Sequence, residues 1–163
     1  MGKAFLLLII VRHGEAVPKS SGIPDENRGL TEAGKIGLRE NLMLAREIVG
    51  SELDLILTSP VLRAKESAEI ARQVFEASNF EQSMALVSES SPYEVFQSLS
   101  KFPALQTILL VSHQPLVSQL IAGLLAWDER RFSFPPGSIA ILQLKEFTSN
   151  AEATLLTLIP PRC

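Results

Sequence analysis

Two apolar runs constrain this chain more than any other feature. Phe5-Leu6-Leu7-Leu8-Ile9-Ile10-Val11 and Thr107-Ile108-Leu109-Leu110-Val111 are rich in branched side chains and carry no charge. Runs of this length are too short to span a membrane and suit strands buried on both faces of a sheet. Each ends at one of the two histidines of the chain: Arg12-His13-Gly14-Glu15 follows the first run and Ser112-His113 the second. In open α/β sheets the carboxyl edge, where a buried strand surfaces, is where ligands bind. Both imidazoles therefore occupy a functional slot.

The intervening sequence supplies helices. After Glu15 comes a Gly- and Pro-punctuated segment through Lys19, Gly22, Pro24 and Arg28 with no periodicity, long enough to be a functional loop. Thr31 is an N-cap with Glu32 in the first turn; Leu38, Leu42, Ala45 and Val49 recur at helical spacing and Gly50 ends the helix. Asp54–Thr58 reads as a buried strand emptying into Ser59-Pro60. A helix follows with Val61, Ala64, Ala68, Ala71 and Phe75 on one side, which places Arg63 in its first turn. Met84–Val87 is expected to be a third strand, and Pro92–Leu99 a short helix with Tyr93 and Phe96 turned inward. Pro115 opens an apolar-faced helix; Trp127–Pro136 is a connection containing a solvent-facing Arg130-Arg131 pair. Ser138–Leu144 and Ala153–Ile159 form a hairpin about Thr148-Ser149-Asn150. The alternation predicts one α/β domain over residues 1–163, a three-layer α/β/α sandwich with a mostly parallel, mixed sheet.

Composition narrows the function. A net charge of −3 excludes a non-specific nucleic-acid binder, yet leaves room for a local cationic pocket. Cys163 is the one cysteine, so neither a disulfide framework nor a thiolate metal set is expected, and two histidines make a metal site of that kind unexpected too. Lys3 ahead of the first run mimics a leader, but no small-residue cleavage site follows. Leu6 stands where acylation of Gly2 would want serine or threonine. The expectation is a cytoplasmic protein with no membrane partner and no cofactor.

If the strands are parallel neighbours, Arg12, His13, Arg63 and His113 meet at one edge. Two guanidiniums and two imidazoles make an anion pocket, and a planar fork suits two phosphoryl oxygens. The helix starts near Pro60 and Pro115 are expected to aim backbone N–H groups at the same anion. There is no Gly-x4-Gly-Lys loop, which disfavours nucleotide hydrolysis by that route. His13 can serve as clamp or as nucleophile; neighbouring cations are expected to keep it neutral, with its lone pair available near pH 7. Ser59 and Ser112 read as turn and cap residues without a base partner.

Taken in order, Arg12-His13-Gly14-Glu15, Leu30-Thr31-x-x-Gly34, Ser59-Pro60-x-x-Arg63-Ala64 and Ser112-His113-x-Pro115 resemble the signature of the histidine phosphatase superfamily, with its phosphoglycerate-mutase-like fold. The short SixA-type phosphohistidine phosphatases are the most similar in size and in the Ser112–Val117 segment. The resemblance implies that His13 is the phosphorylated nucleophile, that Arg12 and Arg63 bind phosphate, and that His113 stabilises the transferring group. It implies a metal-independent phosphatase acting on a phosphorylated protein such as a histidine phosphotransfer domain. The alternatives are a small phosphate monoester as substrate or a non-catalytic phosphate-binding module. Glu89 is the positional candidate for an acid on the leaving group and otherwise a solvated loop carboxylate. Arg28 either reaches over the phosphate or is a solvated loop arginine. Glu15 either orients a cation or lies free on the surface. Lys65-Glu66-Ser67 departs from the usual Gln-Thr and is expected to alter the surface more than the chemistry.

Overall fold

The computed structural model describes residues 5–102, 104–148 and 150–162. Cys163, the turn residue Ser149 and the Met1–Ala4 stretch weighed above for a leader and acylation lie outside them. The elements run β1 (Leu6–Arg12), α1 (Glu32–Val49), β2 (Glu52–Thr58), α2 (Leu62–Val74), β3 (Glu76–Gln82), α3 (Pro92–Leu99), β4 (Thr107–Ser112), α4 (Leu116–Leu125), β5 (Ile139–Leu144) and β6 (Ala153–Ile159). The six strands form one sheet ordered β3-β2-β4-β1-β5-β6. The β3-β2, β2-β4 and β4-β1 pairs are parallel, and the last two pairings are antiparallel.

Alternation along β1 sets the layers. Leu8 and Ile10 enter one core with Val95, Phe96 and Leu99 of α3 and Leu116, Leu120 and Ile121 of α4. Ile9 and Val11 enter the other with Leu38 and Leu42 of α1 and Ala64, Ala68 and Ala71 of α2. The sheet is thus sandwiched between two helix pairs, as the apolar runs required. Four branched side chains of β1 lose essentially all their solvent contact. Each contributes about 1.5–3 kcal/mol of burial free energy, which fixes this strand at the sheet centre.

Two expectations need correction. The third strand is Glu76–Gln82, not Met84–Val87. It is an edge strand whose side chains are mostly exposed, with only Ala77 and Phe80 packing on the core, so it has no apolar run to reveal it. Met84–Leu86 is instead a single 3-10 turn capped by Ser83; its Leu86 plugs the core while Met84 faces solvent. In α3, Phe96 is buried as expected, but Tyr93 is 59% exposed and its hydroxyl accepts a hydrogen bond from Gln97. Its place in the first turn points it away from the sheet.

Among the described residues, no helix is long and apolar enough to cross a membrane.

Candidate active site

The sheet register assembles the site. Arg12 is aligned with Ser112 across the β1-β4 pair, and His13 N–H donates to the Ser112 carbonyl at 3.1 Å, so His13 and His113 leave adjacent strands side by side. Their ring centroids lie 5.1 Å apart. The Ser59 N–H donates to the Val111 carbonyl at 3.0 Å, which brings the end of β2 alongside, and α2 begins three residues on with Arg63 in its first turn. Three neighbouring strand ends thus deliver Arg12-His13, Ser59–Arg63 and His113 to a cavity of about 450 Å³, also lined by Lys19, Asp25, Arg28 and Glu89. A larger hollow of about 580 Å³ between α1 and α2 contains no histidine. Chemistry, not size, locates the site.

The hydrogen bonds of His13 define its tautomer. Nδ1 lies 2.8 Å from the Gly14 carbonyl, which can only accept, so Nδ1 carries the proton. Nε2 receives the Arg63 Nε–H at 3.3 Å and therefore holds the lone pair. Burial, first of all, pushes the His13 pKa down to about 3; the Gly14 carbonyl opposes this, while His113, Arg63 and Arg12 add to it. The ring is neutral at pH 7, as the neighbouring cations suggested, but loss of water is the larger cause. His113 is likewise lowered to about 4, mainly by burial and then by Arg63, with Glu89 opposing.

His113 corrects the reading of Ser59. Its Nε2 lies 2.7 Å from the Ser59 hydroxyl oxygen, which also accepts the Val61 N–H at 3.3 Å. Ser59 does have an imidazole partner, and its contact fixes the orientation of that ring. Ser112 donates to the Leu86 carbonyl at 2.6 Å and ties β4 to the 3-10 turn. Arg12 donates from Nη1 to the Phe134 carbonyl at 3.0 Å. Its guanidinium pKa is lowered by burial and then by Arg63.

The loop between β1 and α1 is clamped. Its ends meet through the Ala16–Leu30 bridge, and Thr31 N–H donates to the Glu15 carbonyl at 3.0 Å. Gly34 in the first turn of α1 packs so closely that a Cβ there would overlap the Glu15 carbonyl oxygen. Glu66 Oε2 accepts the Leu30 N–H at 2.6 Å. Buried Ser67 accepts the Gly14 N–H at 3.0 Å and donates to the Arg63 carbonyl at 2.7 Å. Glu66 and Ser67 are therefore not surface substitutions: they hold the histidine turn against α2.

Arg28 is buried, which rules out a solvated loop arginine. It donates to Asp25 Oδ1 from Nε (3.0 Å) and Nη2 (2.8 Å) and to the Val17 carbonyl from Nη1 (2.6 Å). Asp25 went unnoticed in the sequence, although its spacing three residues before Arg28 was a usable signal for a pair. Glu89 lies on the cavity wall, held below the ordinary carboxylate pKa first by a hydrogen bond from Ser88. Glu15 is exposed at the cavity rim. The N-terminus of α4 is not open to an anion as expected: Val117 N–H donates to the His113 carbonyl and Ser118 N–H to the Gln114 side chain. Arg130 and Arg131 face solvent and pair with Asp128. Among the described residues, no three His, Cys, Asp or Glu side chains cluster closely enough to hold a metal ion.

A central parallel sheet whose strand ends present a lone-pair imidazole among guanidiniums is matched by comparison with known proteins. The chain belongs to the histidine phosphatase superfamily, and the profile of that superfamily's branch 1 matches residues 8–86. It is 31% identical over 145 residues to a phosphohistidine phosphatase SixA homologue of Haemophilus influenzae, covering 83% of this chain and 86% of that one. A structure from Nakamurella multipartitia named for the phosphohistidine phosphatase SixA has the same fold, with a TM-score of 0.83 at 18% identity over 98% of both chains. The protein histidine phosphatase SixA complexed with tungstate superposes with a TM-score of 0.80 at 24% identity, over 95% of this chain and 97% of the other.

Proposed function

We propose that residues 1–163 act as one histidine phosphatase domain that removes the phosphoryl group from phosphohistidine on a partner protein, without a metal. The observation that carries this reading is the His13 Nε2 lone pair, held in a cationic cavity by a ring whose other nitrogen donates to the Gly14 carbonyl. Nε2 attacks phosphorus, the bond from phosphorus to the substrate nitrogen breaks, and that nitrogen takes a proton from solvent. Water then attacks phosphorus, the bond to His13 breaks, a water proton passes to solvent, and inorganic phosphate leaves. Arg12 and Arg63 compensate the oxygen charges, Arg28 supports them from the loop, and His113 lies beside the ring that receives the phosphoryl group. Glu89 lies on the cavity wall, its carboxyl held below the ordinary range first by the Ser88 hydrogen bond. A nitrogen leaving group, which takes up a proton more readily than an alkoxide, needs none from it. The likeness to a phosphohistidine phosphatase SixA homologue supports phosphohistidine over an ordinary phosphate ester.

The test is a substrate panel with acid-labile trapping. Incubation with a labelled phosphohistidine protein should place acid-labile phosphate on the wild-type chain and none on His13→Ala. Fast turnover of sugar or nucleoside phosphates, with phosphohistidine untouched, would overturn the substrate assignment. Binding with no labelling would overturn the enzymatic one.

A further inference from the structure

Asp25 ties together two of the guanidiniums that line the cavity. Its Oδ1 accepts both the Nε and Nη2 donors of Arg28, while its Oδ2 accepts Arg63 Nη2 at 3.2 Å and its backbone carbonyl accepts Arg63 Nη1 at 2.9 Å. The third nitrogen of Arg63, Nε, donates to His13 Nε2 at 3.3 Å. A guanidinium is a rigid planar fork, so holding both Nη groups dictates where the Nε–H points. Without that hold, a long side chain rooted in the first turn of a helix would sample several rotamers. The carboxylate is half exposed while both guanidiniums are largely buried, so the four bonds hold two cations in place as well as fixing their direction.

We infer that Asp25 is a positioning residue for phosphoryl transfer: through its carboxylate and its carbonyl it aims the Arg63 Nε–H at the atom of His13 that receives phosphorus. This rests on reading His13 as the nucleophile. For phosphorus to bond Nε2, the Arg63 Nε–H must slide off the lone pair, and Asp25, by holding both Nη groups, keeps that movement short so that the guanidinium stays beside a phosphoryl oxygen. Through Arg28 the same carboxylate also seats the loop that follows β1 against α2.

A double-mutant cycle tests this, with phosphohistidine peptide as substrate. Asp25→Ala should lower kcat by about ten- to a hundredfold, the scale of a misaimed catalytic group, with a smaller change in KM; Tm should fall as well, because buried Arg28 loses its carboxylate, and the double-mutant cycle separates the two effects. Asp25→Asn, which keeps the shape, should fall between; it is the variant to read if the alanine chain does not fold. In an Arg63→Ala background, Asp25→Ala should cost no more than about twofold, because the group it acts through is gone. The same factor in both backgrounds, or a wild-type rate in Asp25→Ala, would overturn the inference. The ¹⁵N resonance of His13 Nε2 provides a readout independent of turnover: it should move in Asp25→Ala as the Arg63 hydrogen bond loosens, and an unmoved resonance counts against the placement. A wild-type chain that never becomes phosphorylated defeats the reading of His13 instead, while the resonance still tests the aim of Arg63.

Discussion

Lowering the pH from 7 to 5 should destabilise this protein through its two histidines. An unfolded histidine binds a proton with a pKa near 6.5, whereas His13 and His113 in the folded chain bind theirs only at about 3 and about 4. Between those limits the unfolded state holds more protons, so stability rises with pH: it is fully present above about 6.5 and is lost as pH falls toward the folded values. At pH 5 the unfolded imidazoles are almost fully protonated and the folded ones almost fully neutral. The linkage relation then gives a loss of about 2 kcal/mol for each ring, or about 4 kcal/mol together. Because His13 and His113 are the chain's whole complement of histidine, no other imidazole blurs the measurement. Urea unfolding at the two pH values measures the loss directly, and His13→Asn should roughly halve it. Histidine resonances that titrate near 6.5 in the folded protein, or a loss below about 1 kcal/mol, would refute the claim that burial keeps both rings neutral.

Two further substitutions probe packing that positions the site. Gly34→Ala places a methyl group on the Glu15 carbonyl oxygen and should cost about 1–3 kcal/mol in chemical unfolding, with activity falling as the histidine turn shifts; a neutral result would mean that α1 and the loop separate freely. Leu86→Ala should cost about 2–5 kcal/mol because that side chain is wholly buried, whereas Met84→Ala, largely exposed, should be near neutral; equal costs at the two positions would contradict the 3-10 turn.

The central strands and the meeting of Arg12, His13, Arg63 and His113 in one cavity were legible because burial on both faces leaves an uninterrupted apolar run, and both histidines follow such runs. The helices α1 to α4 were legible from apolar spacing and from the cap or proline residues at their starts. The edge strand β3 was not, because a strand with one neighbour and little buried surface has no compositional signature. Among the site residues, Ser59, Ser67 and Asp25 were misjudged or passed over. Serines and aspartates are ordinary turn residues, and only their partners distinguish them.

By itself the sequence determined the local facts: which apolar runs are buried strands, where those runs end, and that cations and imidazoles stand at those ends. Pattern and propensity are properties of neighbouring residues, so they can be read along the chain. Tertiary structure decided the rest. The β1-β4 register set the rings side by side, burial set their proton affinity, and the fold around α2 brought Asp25 within reach of Arg63, thirty-eight positions away in the chain. Each depends on distance through space, which the order of residues does not encode locally.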